Sequence, residues 1–452
     1  MSKKTESNRR GLFTTRIGVL AATVGSAVGL GNIWRFPFEA GAHGGGAFML
    51  CNLAFTLLIG IPILCSEFVL GRGTRSNISG AFRKLAPKQN WRPVGYMCVL
   101  SALLIPGFYS VVAGWTMDYC AQSALGALDL GPLQAFHEHF DSFSSSTWTP
   151  LIWIFIFILA NFLILIKGAR GIERMSNLLM PALFAILVIF AVNSLLMDGA
   201  SEGLYFLFHP DWSDIDAPTL LAALGQSFFS LSLGLGCMTT YASYFSDDTP
   251  LGRSAVTTAI LDFTVAIIAG VIIFPAVFTY GGSVEAGPKL VFEVLPGIFH
   301  HLPLGAMWSA LFFFLLIIAS LTSTISMHEI VITFLTEERG MSRRAATIAE
   351  CSAVLVLAVL SSLSFGVLSG IQIGGLSFFG LLDYCTSNIL LPLGGLCISV
   401  FVGWVVDRRY VREQMTNHGK IKCRILPVVV FSLRYLVPVA IVLIFLNSLH
   451  II

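Results

Sequence analysis

The chain has 452 residues, of which 56% are hydrophobic and only 12% are charged, and its formal net charge is +2. Soluble domains carry about 25% charged residues, so this composition excludes an ordinary soluble protein. We therefore expect the chain to be surrounded by a lipid bilayer, and we expect no nucleic-acid partner.

Continuous apolar runs along the chain predict eleven membrane-spanning helices. A span needs about 20 predominantly apolar residues, and the runs do not alternate as the strands of a membrane barrel do. The sequence therefore predicts an all-α polytopic membrane protein. The predicted spans cover residues 13–37, 41–70, 94–125, 148–167, 174–197, 218–245, 252–280, 303–336, 344–368, 377–406 and 425–449.

Lysine and arginine residues are concentrated in alternate loops, and this pattern predicts the orientation. Short loops rich in these residues mark the cytoplasmic side. The tail at 1–12 and the loops at 71–93 and 407–424 are basic, whereas the opposite loop at 198–216 is acidic. We predict a multi-pass protein of the cell membrane with a cytoplasmic N-terminus and, after eleven spans, an extracytoplasmic C-terminus.

Two of the predicted spans contain clusters of glycine. The first span has GSAVGLGN at 25–32, and the sixth has SLSLGLG at 230–236. Glycine weakens a helix by about 1 kcal/mol relative to alanine, so both clusters predict interrupted helices. Close packing of helices through small residues, as in the spacing Gly25-x-x-x-Gly29, is the alternative interpretation.

The two clusters occupy corresponding places in two successive sets of five spans. Because five is odd, the second set enters the membrane from the opposite side, which makes an inverted repeat. Interrupted segments in matching positions indicate a substrate site near the midplane, where freed carbonyls hold a cation and half-helix N-termini hold an anion. The predicted divisions are a tail at 1–12, a first five-span repeat at 13–197, a second at 218–406 and an additional C-terminal helix at 425–449.

At these segments the chain resembles the neurotransmitter:sodium symporter family, and within it the bacterial amino-acid transporters. The resemblance lies in GSAVGLGNIWRFPFEAGAHGGGAF (25–48), SEFVLGR (66–72), SFFSLSLGLGCMTTYASY (227–244) and ASLTSTIS (319–326), and it extends over all eleven spans. Family members commonly have twelve spans, so this chain is of an eleven-span type. The resemblance implies a transporter rather than an enzyme, which imports an amino acid with sodium by alternating access.

The resemblance also implies two sodium sites built from oxygen donors. The first consists of Ala27, Asn32, Ser230 and Asp262, and the second of Gly25, Val28, Ala319, Thr322 and Ser323. Taken alone, Thr322 and Ser323 are also typical of hydroxyls that bond back to their own helix. Asp262 stands where many relatives have asparagine, and its carboxylate replaces the charge of the chloride ion that other members need. We therefore expect no chloride requirement, and we hypothesise that Asp262 takes up a proton when sodium leaves.

The substrate pocket and the gates are likewise implied by the resemblance. The pocket comprises Ala27, Gly29, Gly31, Ile105, Tyr109, Phe229, Ser230, Ser232, Leu235, Thr324 and Met327. Its apolar lining suits a hydrophobic or aromatic L-amino acid, with Tyr109 bonding the carboxylate. The outer gate is Arg35 with Asp383, and the inner gate is Arg10 with Glu337, beside Phe13 and Tyr244. Glu67 is expected to bind backbone donors of the interrupted sixth span.

Two other interpretations are open at this point. One is a transporter of the same fold that uses protons in place of sodium. The other is a membrane receptor that binds the ligand without concentrating it.

Overall fold

A computed structural model describes residues 12–128, 130–131, 133–281 and 291–448. Within these ranges the apolar runs are helical, and the β-structure consists of two isolated bridges. The helices are α1 (Arg16–Ala27), α2 (Gly31–Ala42), α3 (Gly46–Thr74), α4 (Ile78–Leu85), α5 (Arg92–Ala124), α6 (Leu133–Ser145), α7 (Trp148–Leu165), α8 (Ala169–Ser194), α9 (Ala200–Phe208), α10 (Ala217–Ser230), α11 (Cys237–Ala242), α12 (Leu251–Tyr280), α13 (Val294–His300), α14 (Gly305–Glu338), α15 (Arg343–Leu363), α16 (Phe378–Val405), α17 (Arg408–Met415) and α18 (Leu426–Leu443).

The order of the long helices repeats. In the part of the chain that the structure describes, nine helices are long and apolar enough to cross a membrane, and α1 with α2 makes a tenth span across a bend of 50°. The predicted sixth span is divided into α10, of 14 residues, and α11, of 6 residues. A broken span followed by four continuous ones thus occurs twice, and α18 follows. The predicted fold class is confirmed, including the breaks in the first and sixth spans.

The backbone at both breaks leaves the helical region. α1 ends at Ala27, and Val28 is extended, with ψ 113°. In the second break Ser232, Gly234 and Gly236 all have positive φ, between 51° and 83°. A Cβ at Gly234 would collide with the carbonyl oxygen of Leu391 in α16. Glycine is required at 234 both for its backbone conformation and for this close approach.

Side chains fix where the two broken spans begin. The hydroxyl of Thr15 accepts a hydrogen bond from Gly18 N at 2.8 Å, and Asp216 accepts one from Thr219 N at 2.8 Å. Such N-caps bond amide groups that have no partner within the helix. Pro218 lies in the first turn of α10, where its missing N–H costs nothing.

Burial separates the inner helices from the outer ones. In the most apolar stretch of α5 and of α14, 72% of the residues are buried, compared with 33% in α8 and in α18. The exposed residues of α8 and α18 are largely apolar, among them Leu178, Val188 and Val439. In a membrane protein these surfaces contact lipid, and α5 and α14 form the centre that carries the site.

The loops contain short helices that the apolar runs did not predict, namely α4, α6, α9, α13 and α17. They are too short to span a membrane, and α4, α6 and α17 are amphipathic. In α6, for example, Phe140 packs its ring against Trp115 of α5 at 5.1 Å between centroids. Hydropathy detects membrane spans, and it misses helices that lie along the surface.

Candidate functional site

The two breaks face each other across a cavity of about 20 Å³, which has room for one or two water molecules. Helices α5, α14 and α16 complete its wall. Its lining residues are Ala27, Gly29, Gly31, Ile105, Tyr109, Phe229, Ser232, Leu235, Ser323, Met327 and Leu391. The structure therefore brings together most of the residues that were predicted to form a pocket.

Two residues of the predicted pocket lie elsewhere. The Thr324 hydroxyl donates to Asn161 Oδ1 at 3.0 Å and to the carbonyl of Ser320, so it points away from the cavity. Its neighbour Ser323 lines the cavity in its place. Ser230 bonds to Asp262 and also lies outside the lining. Successive residues of a helix point about 100° apart, which is why the neighbour of a predicted residue can take its position.

Asp262 of α12 forms a buried polar cluster with the two broken spans. Its Oδ1 accepts a hydrogen bond from Asn32 Nδ2 at 2.7 Å, and its Oδ2 accepts one from Ser230 Oγ at 2.5 Å. Asn32 Nδ2 also reaches Ser230 Oγ at 2.9 Å, while Asn32 Oδ1 accepts from Gly29 N at 3.0 Å. We call Asn32, Ser230 and Asp262 the Asp262 cluster. A carboxylate with two donors is satisfied at this depth, where an unpaired charge is costly.

A second cluster joins the first break to α14. Ser323 Oγ donates to the carbonyl of Val28 across the break at 3.2 Å. Thr322 Oγ1 instead bonds back to its own helix, at 3.0 Å from the carbonyl of Ile318 and 3.1 Å from that of Ala319, which is the alternative that the sequence left open for this hydroxyl. A Cβ at Gly25 would lie 3.4 Å from Thr322 Cβ, so Gly25 is a direct neighbour. We call these five residues the Thr322 cluster. All five of them were predicted to lie together.

Tyr109 connects α5 to the first break. Its hydroxyl oxygen accepts a hydrogen bond from Leu30 N at 3.0 Å, and the ring is buried. A Cβ at Gly29 would lie 3.0 Å from this hydroxyl and would collide with Ser323 Oγ. The absence of a side chain at Gly29 therefore lets Tyr109 and Ser323 approach the backbone of the break.

Phe229 and Arg35 separate the cavity from a larger one. Phe229 lines both the inner cavity and an outer cavity of about 300 Å³. The Arg35 guanidinium lies over the Phe229 ring, 4.7 Å from its centroid. Arg35 pairs with Glu39 at 3.3 Å, whereas Asp383 accepts a hydrogen bond from Ser387 at 2.8 Å. In this structure the predicted outer pair is thus apart, and each member has a partner within its own helix.

Phe13 and Tyr244 lie together at the opposite end of the site. Phe13 N donates to the carbonyl of Tyr244 at 2.9 Å, and their ring centroids are 5.6 Å apart. Tyr244 donates its hydroxyl proton to Glu329 at 2.5 Å, and Glu329 also accepts two hydrogen bonds from Arg343. We call these four residues the inner network.

The predicted inner pair is described only in part. Arg10 lies outside the described residues. Glu337 Oε2 accepts hydrogen bonds from the backbone N and the side-chain amide of Asn77, at 2.8 and 2.9 Å. Glu337 therefore contacts the start of α4.

Three acidic residues support the site, and sequence reasoning found one of them. Glu67 accepts hydrogen bonds from Gly234 N and Thr239 N, both at 3.1 Å, which confirms its predicted role. Glu329 in the inner network and Glu173 were missed. Glu173 of α8 accepts from Thr14 N and Thr15 N, at 3.0 and 3.1 Å, and so holds the start of α1. A carboxylate inside an apolar helix was the available signal for Glu329.

Glu67→Gln is expected to lower the free energy of unfolding by about 1–3 kcal/mol, because one buried N–H then faces an amide N–H₂ instead of an acceptor. Thermal unfolding in detergent measures the change. Glu202→Gln, at an exposed carboxylate in the loop after α8, is the matched control. Equal midpoints for the two variants would show that Glu67 does not hold the second break.

A model of the sodium:neurotransmitter symporter family matches the chain over residues 10–132 and 130–452. An uncharacterised sodium-dependent transporter of Bacillus subtilis, YhdH, is 35% identical over 440 residues, which cover 97% of this chain and 98% of the relative. An uncharacterised sodium-dependent transporter of Haemophilus influenzae is 34% identical and covers 98% of this chain and 99% of its own. These likenesses extend over nearly the whole chain.

A solved structure is similar over the same length. The crystal structure of MhsT in complex with L-phenylalanine superimposes with a TM-score of 0.90 at 42% sequence identity, and it covers 97% of this chain and 100% of that chain.

Proposed function

Since the chain belongs to the sodium:neurotransmitter symporter family and is a multi-pass, sodium-coupled membrane transporter, we propose that it imports a hydrophobic or aromatic L-amino acid through the cavity between its two breaks. The main observation that supports this proposal is that an apolar cavity lies next to the Asp262 and Thr322 clusters. Membership of this family argues against the alternative interpretations of the chain as a receptor, an enzyme or a transporter driven by protons alone.

The cavity lining supports this substrate class. Leu235 and Met327 have flexible apolar side chains, and the lining contains no charged residue to bind a basic or acidic side chain. MhsT, which is similar in sequence and fold, was crystallised with L-phenylalanine. Because the cavity is only about 20 Å³, an amino acid enters when Phe229 and Met327 move aside.

We assign the substrate carboxylate to Tyr109 and the start of α2. The Tyr109 oxygen accepts a hydrogen bond from Leu30 N, which leaves its hydroxyl proton for a carboxylate. The positive end of α2 at Gly31 faces the same place, and helix N-termini favour anions. Gly29 leaves room for the carboxylate between them.

We assign one sodium ion to each cluster. The first binds the carbonyl of Ala27 with Asn32, Ser230 and Asp262, and Asn32 turns its amide so that Oδ1 faces the ion. The second binds the carbonyls of Gly25, Val28 and Ala319 with the hydroxyls of Thr322 and Ser323. All of these donors are oxygens, which hard cations prefer.

Two ions would supply enough energy for strong accumulation. A tenfold sodium gradient gives about 1.4 kcal/mol per ion, and 100 mV adds about 2.3 kcal/mol per charge. Two sodium ions then give roughly 7 kcal/mol, which corresponds to about 10⁵-fold accumulation of a neutral amino acid at strict coupling. We propose that the N-terminus lies in the cytoplasm and that the two five-span repeats comprise residues 13–197 and 218–406.

Binding of the twenty amino acids to the purified protein, with and without sodium, tests the substrate class. We expect leucine-like and aromatic residues to bind only with sodium, and aspartate and lysine not to bind. Concentrative uptake into proteoliposomes of the strongest ligand completes the test. Sodium-dependent binding of a charged amino acid in preference to these would overturn the assignment.

Replacement of chloride by gluconate is expected to leave uptake unchanged, because the carboxylate of Asp262 supplies the negative charge beside the first sodium ion. Uptake of the same amino acid into proteoliposomes prepared without chloride measures this. Proton release into the external medium during uptake tests the further hypothesis that Asp262 exchanges its proton for sodium. Collapse of uptake in gluconate would contradict the proposed role of the carboxylate.

A further inference from the structure

Another cavity, separate from the inner and outer cavities, lies at one membrane face, away from the two breaks. It measures about 260 Å³ and lies between the first turns of α1 and α12. Its lining residues are Arg16, Val19, Leu20, Thr249, Pro250, Arg253, Ser254 and Thr257. Both helices begin at this face, which the charge pattern predicts to be cytoplasmic.

The cavity carries two arginine side chains that are free to bind an anion. Arg16 and Arg253 are exposed, and neither forms a hydrogen bond or an ion pair with any residue that the structure describes. The nearby carboxylates have other partners, since Glu173 binds Thr14 and Thr15, while Asp247 pairs with Arg75. Two guanidinium groups therefore face one cavity without a carboxylate between them.

Deeper in the membrane, the same surface is apolar. Next to Arg16, the side chain of Ile17 is 74% exposed, and two turns below Arg253 that of Ile260 is 51% exposed. Val19 and Leu20 form the apolar wall of the cavity itself. The hydroxyls of Ser254 and Thr257 lie between the charged and the apolar parts. The surface therefore presents basic groups, then hydroxyls and then hydrocarbon. This order is complementary to a phospholipid, from its phosphate headgroup to its acyl chains.

We propose that this cavity binds the phosphate of an anionic phospholipid, with Arg16 and Arg253 on the phosphate and the acyl chains along Ile17 and Ile260. Basic pockets between spans on the cytoplasmic side suit such headgroups, and guanidinium groups form paired hydrogen bonds to phosphate. A free anion would not use the exposed apolar surface below the arginines, and this favours a lipid.

The bound lipid ties α1 to α12. α1 is only 12 residues long, and it is joined to α2 through the extended residue Val28 and a bend of 50°. A phosphate shared by Arg16 and Arg253 therefore holds the first half of the broken span against its neighbour. The lipid thus favours the arrangement in this structure, in which α1 packs against α12.

Native mass spectrometry of the purified protein, titrated with phosphatidylglycerol or phosphatidylcholine, tests this proposal. We expect one phosphatidylglycerol to bind more tightly than the rest, and phosphatidylcholine not to replace it. Since a basic residue near an anionic surface contributes about 1 kcal/mol, Arg16→Gln/Arg253→Gln is expected to weaken this binding roughly 30-fold. Arg253→Gln alone, which leaves the first turn of α1 intact, is expected to weaken it about fivefold.

The matched control is Arg170→Gln/Arg174→Gln, which removes two exposed arginines of α8 that do not line the cavity. It is expected to bind phosphatidylglycerol like the unmodified protein. If both double variants lost phosphatidylglycerol binding equally, the proposal would be overturned, because general surface charge would then explain the binding. Displacement of the lipid by excess inorganic phosphate would overturn the assignment to a lipid.

Discussion

Asp262→Ala is expected to abolish sodium-dependent uptake, with a loss of roughly 100-fold or more. The carboxylate accepts hydrogen bonds from Asn32 Nδ2 and Ser230 Oγ, at 2.7 and 2.5 Å, and it is buried. Without the carboxylate, the buried donors of Asn32 and Ser230 lose their acceptor, which typically costs about 1–3 kcal/mol for each donor left unsatisfied. In the proposed mechanism it also removes a ligand of the first sodium ion. Initial rates of uptake into proteoliposomes, at several sodium concentrations, measure the effect.

Asp198→Ala is the matched control for Asp262→Ala, because it makes the same substitution at an exposed carboxylate between α8 and α9, outside the site. We expect this variant to keep its uptake and the same dependence on sodium. If Asp262→Ala kept an unchanged sodium dependence and lost only protein stability, Asp262 would be a structural residue and the first sodium site would lie elsewhere.

The sequence was sufficient for the spans and for the two breaks. Each predicted span has a helical counterpart. The glycines at 234 and 236 indicated the second break, and both adopt a positive φ, a backbone conformation that glycine tolerates readily. The amphipathic helices α6 and α9 were not predicted. In α6 the buried Phe136 and Phe143 are separated mostly by polar residues, so the helix produces no long hydrophobic run.

The chemistry of the site was predictable only as far as side-chain direction could be inferred. Ser323 and Thr324 are adjacent and chemically similar, and only the structure shows that Ser323 faces the cavity. Arg35 illustrates the same limit, since its partner Glu39 is four residues away on the same helix. That spacing was present in the sequence, but the expected partner Asp383 was preferred because of the resemblance.

Charged residues far apart in sequence were the hardest to place. Glu329 and Arg343 meet because α14 and α15 are joined by a short turn, and Glu173 meets Thr14 across 159 residues. No local pattern encodes the second contact. The carboxylate of Glu173, near the start of an apolar span, indicates that a partner exists. Only the packing of α1 on α8 identifies that partner as Thr14.

Gly29→Ala is expected to reduce amino-acid binding by about 10–100-fold without unfolding the protein. The added Cβ would collide with Ser323 Oγ and lie 3.0 Å from the Tyr109 hydroxyl. Inserting one methyl group into such a packed place typically costs about 1–3 kcal/mol. Ser323 belongs to the Thr322 cluster and Tyr109 is the proposed ligand of the carboxylate, so substrate and sodium affinity are expected to fall together. Equilibrium binding at fixed and at varied sodium concentration measures both.

Gly225→Ala is the control, because it adds the same methyl group in α10, where no described atom outside the adjoining turns of its own helix lies within 4 Å of the new Cβ. Gly225 is in the middle of α10, where alanine is favoured over glycine by roughly 1 kcal/mol, so this variant is expected to bind normally and to unfold at the same or a higher temperature. If Gly29→Ala had the same affinities for substrate and sodium as Gly225→Ala, the substrate carboxylate and the second sodium ion would not bind in the space beside Tyr109 and Ser323. The substrate would then bind elsewhere, and the outer cavity beyond Phe229 would be the alternative binding site.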